Sequence, residues 1–181
     1  MVLVTALSLI VIATAIPTSA QLTATVSIDD ITLPHQNSAI LPIMITDFPE
    51  NNVSTAQINL TYDSTVVQVT AVGGSDFDNF NYSIVDGKVI MLGYQEGGEN
   101  LQAPVKFADV TVKAIGNPGD CTPLNLDVNY VKMGTGSSYH GYVLNNGSVC
   151  IVAGVPVYNT FGVIALIGLL ALVLLATVRK R

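Results

Sequence analysis

Between residues 21 and 154, apolar and polar side chains trade places every second position in short runs separated by turn residues. Ile58, Leu60 and Tyr62 alternate with Asn59 and Thr61. Ala108, Val110, Val112 and Ala114 alternate with Asp109, Thr111 and Lys113, and Leu124, Leu126 and Val128 with Asn125 and Asp127. A period of two sends one set toward a core and the other toward water, so these runs predict half-buried strands. Val72-Gly73-Gly74-Ser75, Asp86-Gly87, Gly97-Gly98, Asn117-Pro118-Gly119 and Asn146-Gly147 punctuate them. Asp86-Gly87 and Asn146-Gly147 are the strongest hairpin signals of the set. No stretch sustains a helical period. About nine strands at this spacing predict an all-β fold, a two-sheet β-sandwich filling residues 21–154.

The two ends read differently. Val2 to Ile16 is an apolar run interrupted by Thr5, Ser8 and Thr14, broken by Pro17 and followed by the small residues Thr18-Ser19-Ala20. That is the pattern of a signal peptide over residues 1–20, although no Lys or Arg precedes the apolar run. Residues 155–160 form a short linker. Phe161 to Val178 then carries no charge, and at helical rise it reaches ~27 Å, close to the thickness of a hydrocarbon core. Arg179, Lys180 and Arg181 follow at once. Basic residues beside a span stay cytoplasmic, so 161–178 is expected to be a single transmembrane helix with the sandwich outside the cell. The tail also resembles the processed C-terminal signals of archaeal surface proteins: a short Pro-containing motif, Val155-Pro156-Val157-Tyr158, then an apolar span and a basic cluster. The expected location is therefore a prokaryotic, archaeal-type cell surface.

Charge sharpens this division. All thirteen acidic residues lie between Asp29 and Asp127, with only Lys88, Lys106, Lys113 and Lys132 nearby to offset them. Such a surface repels phosphates, which excludes nucleic acid as a partner. Cys121 and Cys150 are the only cysteines, and both fall in the exported part. An even count outside the cell predicts a disulfide closing a loop of about thirty residues, which on the chain-entropy model stabilises the fold by ~3 to 4 kcal/mol. The alternative is two buried free thiols. Asn52, Asn59, Asn81 and Asn146 each open an N-x-[ST] sequon and are glycosylation candidates.

Several segments, taken in order, resemble those of one known family. Ile58-Asn59-Leu60-Thr61-Tyr62-Asp63 followed by Val66-Val67-Gln68-Val69 resembles the cohesin strand ending in Tyr-Asp-Pro, with Ser64 at the proline position. Val85-Asp86-Gly87-Lys88-Val89 resembles its central hairpin. Val110 to Ala114, closing on Ile115-Gly116-Asn117-Pro118-Gly119, resembles its long strand and turn, and Asn146-Gly147-Ser148-Val149-Cys150-Ile151 its last strand. The resemblance implies a jelly-roll sandwich related to carbohydrate-binding modules. It also implies a protein partner of the dockerin type, which in cellulosomes links cohesins to polysaccharide breakdown. Aligned on Tyr62-Asp63, the Asn and Asp that cohesins offer to their partner fall at Thr55 and Gln57. Losing the negative acceptor weakens such a contact by about 1.5–3 kcal/mol. Thr55, Gln57, Asn59 and Thr61 follow period two, so all four belong to one strand face and form the candidate partner-binding set. A glycan on Asn59 would stand in the middle of that face, so either Asn59 is unmodified or the face does not bind.

The sequence offers little for catalysis. His35 and His140 sit in no ligand-spaced motif, and there is no Gly-x-Ser-x-Gly elbow and no P-loop. A glycosidase dyad needs two carboxylates across a cleft, and a domain this short has little chain to spare for one. No cofactor is predicted. Asp76-Phe77-Asp78-Asn79-Phe80-Asn81 is rich enough in oxygen to suggest Ca²⁺, yet it lacks the Gly and distal Glu of an EF-hand loop, and a polar loop over two buried aromatics fits better. There is no Trp to stack a sugar; Tyr139 and Tyr142 are the candidate carbohydrate-binding residues, and equally candidate loop anchors. The second reading is thus a carbohydrate-binding or structural envelope protein with no dockerin partner.

Overall fold

The computed structural model describes residues 24–48, 52–97, 99–132, 134, 138–139 and 141–154. The expected signal peptide, linker, transmembrane helix and basic tail lie outside them. Among the described residues no helix is long and apolar enough to cross a membrane.

Twelve strands run along the described chain: β1 (Ala24–Ser27), β2 (Ile31–Pro34), β3 (Ser38–Thr46), β4 (Thr55–Thr61), β5 (Val67–Gly73), β6 (Asn79–Val85), β7 (Lys88–Tyr94), β8 (Val105–Ala114), β9 (Cys121–Lys132), β10 (Ser138–Tyr139), β11 (Tyr142–Asn145) and β12 (Gly147–Val152). One sheet has the order β11-β1-β3-β8-β5, the other β2-β12-β9-β4-β7-β6, with β10 paired to β9 off that path. The alternating runs behave as expected. Ile58, Leu60, Ala108, Val110, Val112, Ala114, Leu124 and Leu126 are all buried between the sheets. Phe107 stands at the centre of an aromatic group, edge-on to Phe77 at 5.8 Å and to Phe80 at 5.6 Å. Edge-to-face pairs of this kind add to the area they bury.

Of the three strands beyond the nine expected, two arise because both terminal runs change sheet partway along, and the third is the short β10. β1 lies parallel to β11 in one sheet, and β2 lies parallel to β12 in the other. The dipeptide Asn146-Gly147 is accordingly not a hairpin: it carries the chain from β11 across to β12. Asp86-Gly87 does form the expected hairpin, between β6 and β7. At the crossing, a Cβ on Gly147 would lie inside contact distance of the carbonyl oxygens of Ile28 and Asp29. Only glycine lets the two backbones pass this closely. The Asn146 side chain closes the corner by accepting a hydrogen bond from the Leu126 amide at 2.9 Å.

Cys121 and Cys150 are bonded and sit opposite each other in the β9–β12 ladder. The alternative of two free thiols is thereby removed.

Two outcomes follow. Gly147→Ala should lower stability by about 2 kcal/mol or more, because backbone must move to admit the methyl group. Gly73→Ala, where nothing lies within 4 Å of the added Cβ, should stay within about 0.5 kcal/mol of the parent. Denaturant titration of the two variants separates them, and equal midpoints would contradict the crossing geometry. The denatured, unreduced chain should show no reactive thiol, and the Cys121→Ala/Cys150→Ala double variant should lose about 3 kcal/mol on the same titration.

Candidate functional site

The candidate set falls on β4, which lies inside its sheet between β9 and β7. Ala56, Ile58 and Leu60 fill the core at 0% exposure, so Thr55, Gln57, Asn59 and Thr61 point away from it. The register fixes their neighbours. Thr61 faces Lys88 and Asn125, Asn59 faces Ile90 and Asp127, Gln57 faces Leu92 and Tyr130, and Thr55 faces Tyr94 and Lys132. The result is one outer face on which Ile90, Leu92 and Tyr94 make an apolar strip along β7. Ile90 and Tyr94 are each 36% exposed. A shallow depression of about 300 Å³ opens there, lined by Gln57, Asn81, Tyr82, Ser83, Ile90 and Leu92. On the other flank the Lys132 ammonium lies over the Tyr130 ring, 5.0 Å from its centroid, a cation–π contact that holds both side chains against the sheet.

Asn59 is not the exposed residue that alternation suggests: it is 4% exposed. Its Nδ2 donates to Asp127 Oδ2 at 3.2 Å and to Asn129 Oδ1 at 3.3 Å, while its Oδ1 has no partner. A register shift in the β4–β9 ladder between Gln57 and Ile58 lets both Asp127 and Asn129 reach it. The negative acceptor missing from Gln57 is therefore present one strand away, at Asp127.

The Tyr62-Asp63 motif ends β4. Asp63 Oδ1 accepts from the Thr65 amide at 2.8 Å and from Thr65 Oγ1 at 2.6 Å, and the Asp63 amide donates to Thr122 Oγ1 at 2.9 Å. The carboxylate thus closes an Asx-type turn without the proline that Ser64 replaces. The Thr65 hydroxyl, then the Thr65 amide, hold the Asp63 carboxyl below the usual aspartate value. Burial pushes the half-buried Tyr62 phenol up.

The other candidates do not assemble. Tyr142 opens β11, and its hydroxyl accepts from the Val131 amide at 2.9 Å. It packs against the core as a loop anchor. Tyr139 lies in β10, whose backbone pairs with the end of β9. In the oxygen-rich loop, Asp76 accepts from the Lys106 amide, Asp78 from the Glu96 amide, and Glu96 from Asn79. Phe77 is buried and Phe80 packs against the core. Among the described residues no group of three or more His, Cys, Asp or Glu is placed to hold a metal. Of the sequons, Asn81 and Asn146 are exposed, Asn52 is half-buried, and Asn59 is enclosed.

Sequence reasoning missed Asp127, Asn129, Ile90, Leu92 and Tyr130 as members of this face. The alternation of β7 held a signal, since both of its faces carry apolar residues. The pairing of β9 with β4, sixty-eight residues apart at Asn59 and Asp127, held none.

The described residues form a two-sheet sandwich that presents a mixed polar and apolar sheet face. The chain belongs to the cohesin domain family, whose model matches residues 24–151. Cohesin domains are non-catalytic binding modules. Solved structures share the fold at low identity. A type I cohesin from Clostridium thermocellum, solved in a cohesin–dockerin complex, is 17% identical with a TM-score of 0.65, over 72% of this chain and 99% of that one. The seventh ScaB type I cohesin from Pseudobacteroides cellulosolvens is 21% identical with a TM-score of 0.65, over 76% of this chain and 97% of that one. A non-cellulosomal cohesin from the hyperthermophilic archaeon Archaeoglobus fulgidus is 16% identical with a TM-score of 0.61, over 72% and 92%. No relative was found among curated protein sequences.

Two measurements check the local geometry. Glycopeptide mass spectrometry should find Asn59 unmodified, because both of its amide hydrogen bonds and its enclosure stand in the way of a glycan. In an NMR titration, Asp63 should ionise below the ordinary aspartate value of 3.8, and Thr65→Val should return it toward that value. Because the folded-state pKa is the lowered one, the turn's contribution is present above the unfolded value and is lost as pH falls through the folded one. An Asp63 that titrates normally in the parent protein would rule this turn out.

Proposed function

We propose that this chain is a surface-anchored cohesin module that recruits a secreted protein partner of the dockerin type through the outer face of β9, β4, β7 and β6. The observation that carries the reading is the composition of that face. Ile90, Leu92, Tyr94 and Tyr130 offer apolar area at its middle, and Gln57, Asp127 and Asn129 offer hydrogen-bond acceptors beside it. Protein interfaces combine an apolar, aromatic centre with a polar rim in this way. Family membership supports the choice of partner, since the solved cohesin from Clostridium thermocellum is in complex with a dockerin.

Anchoring rests on the sequence of the ends: an apolar run over 2–16, a second over 161–178, and three basic residues after it. A role in gathering polysaccharide-degrading enzymes would follow if the recruited partner carries such an enzyme. A partner that is itself a polysaccharide finds less support, because Tyr142 is committed to the Val131 amide and among the described residues no row of stacked aromatics stands on the face.

The test is a binding assay between the detergent-solubilised full chain and the dockerin modules encoded in the same genome. Leu92→Lys should weaken binding by about 2 kcal/mol or more, as a charge enters the apolar centre. Asp127→Ala should cost about 1.5–3 kcal/mol if Asp127 accepts a charge-assisted hydrogen bond. Unchanged affinity in both variants, or retention of the chain by insoluble polysaccharide with no dockerin bound, would overturn the reading. Protease added to intact cells should cut the sandwich away, and survival of the full chain would argue against surface display.

A further inference from the structure

Among the described residues the main paths of the two sheets end on four edge strands, β11 and β5 on one sheet, β2 and β6 on the other, with the two-residue β10 set beside β9. Exposed edges invite pairing with another chain, and proteins ordinarily blunt them. Three of these are blunted. β11 and β2 have four residues each, and β2 ends on Pro34. The ladder of β5 is broken by a register shift between Val69 and Ala71. β6 is different: Asn79–Val85 is seven residues long and contains no Pro, no Gly and no charge. Its exposed side chains include Tyr82 at 49%, Ile84 at 40% and Val85 at 55%. Among the described residues it pairs only with β7, so alternate amides and carbonyls along its outer edge have no described strand beside them.

Depressions flank this edge on both sides. On the outer face is the one that Asn81, Ser83, Ile90 and Leu92 help to line. On the inner side, between the edges of the two sheets, a cleft of about 340 Å³ is lined by Tyr62, Val67, Val69, Ile84 and Ile115 among others. A strand laid beside β6 sends its side chains alternately to these two places.

Charge selects among possible occupants. Asp78 and Asp86, both exposed, bound β6 at its two ends. Two copies of β6 paired antiparallel over their full length would place each copy's Asp78 opposite the other copy's Asp86. Like charges directly across a strand pair are destabilising, so a second copy of this chain is disfavoured. A basic residue at each end converts the same positions to attraction.

We propose that β6 is a strand-addition edge for an extended peptide segment of another protein. That segment carries aliphatic or β-branched residues at alternate positions and Lys or Arg near both ends, about eight residues apart. The edge shares the depression at Ile90 and Leu92 with the outer face, so a dockerin on that face and a strand on this edge would compete there, and the edge is tested by peptide binding with no dockerin present.

A display library of random peptides of about twelve residues, screened against the detergent-solubilised full chain, tests it. Enriched sequences should show the alternating apolar pattern with basic ends, and binding should slow hydrogen exchange at β6 amides. Ile84→Lys should weaken the selected peptides by about tenfold or more, since a buried unpaired charge is costly. Asp86→Lys, in the turn and outside the ladder, should shift the preference at that end from basic to acidic residues. The proposal fails if the selected peptides lack basic ends, if they protect strands other than β6, or if the Ile84→Lys and Asp86→Lys variants bind them as the parent does.

Discussion

The structure depends on a crossing. The first and last runs of the sandwich start in one sheet, pass each other where Gly147 meets the carbonyls of Ile28 and Asp29, and end in the other sheet. A hydrogen bond of 3.1 Å from the Ile28 amide to Asn145 O ties the two runs at that point. Because each run pairs in parallel with the other on both sides of the crossing, neither sheet can shift without the other. The dependence then passes inward. β12 holds β9 through its ladder and the Cys121–Cys150 bond, β9 holds β4 along seven residues of β4, and β4 holds β7. The apolar strip on β7 therefore sits on a platform fixed from the far edge of its sheet.

Asn59 shows what this platform does for the candidate face. A buried amide oxygen without a partner costs about 1–3 kcal/mol, and such a group is tolerated only where the surrounding strands fix it. Its nitrogen holds Asp127 and Asn129 at set positions. Both acceptors keep lone pairs to offer outward. The polar part of the face is thus organised before any partner arrives, which reduces the ordering cost of binding.

Much of this was legible in the sequence because its physics is local. Period-two alternation at Ile58–Tyr62, Ala108–Ala114 and Leu124–Val128 located strands and their core-facing sides, since neighbouring residues on a strand must point to opposite faces. Asp86-Gly87 announced its hairpin for the same reason. Asn146-Gly147 carried an identical local signal and did something else. A tight turn and a sheet crossing both ask for a small, permissive residue, and only the backbone of Ile28 and Asp29 tells them apart. The candidate site divided along the same line. Which residues of β4 face outward follows from alternation, but the burial of Asn59 follows from Asp127 and Asn129, which arrive through a long-range register that no local pattern encodes.

The sheet order also separates the end of the described chain from the candidate face. The described chain ends at Gly154, just beyond β12, and β12 sits next to the edge strand β2. From β12 to β6 there are four strand spacings, roughly 19 Å at the usual separation. Gly154 therefore lies on the side of the sheet away from both the apolar strip on β7 and the edge of β6. The excess of acids over the whole domain adds a long-range field that favours basic partners and weakens with salt. The neutral strip of Ile90, Leu92 and Tyr94 offers apolar area for short-range contact. Long-range attraction and apolar contact area thus belong to different parts of the proposed binding surface, the first to the domain's net charge and the second to one uncharged patch.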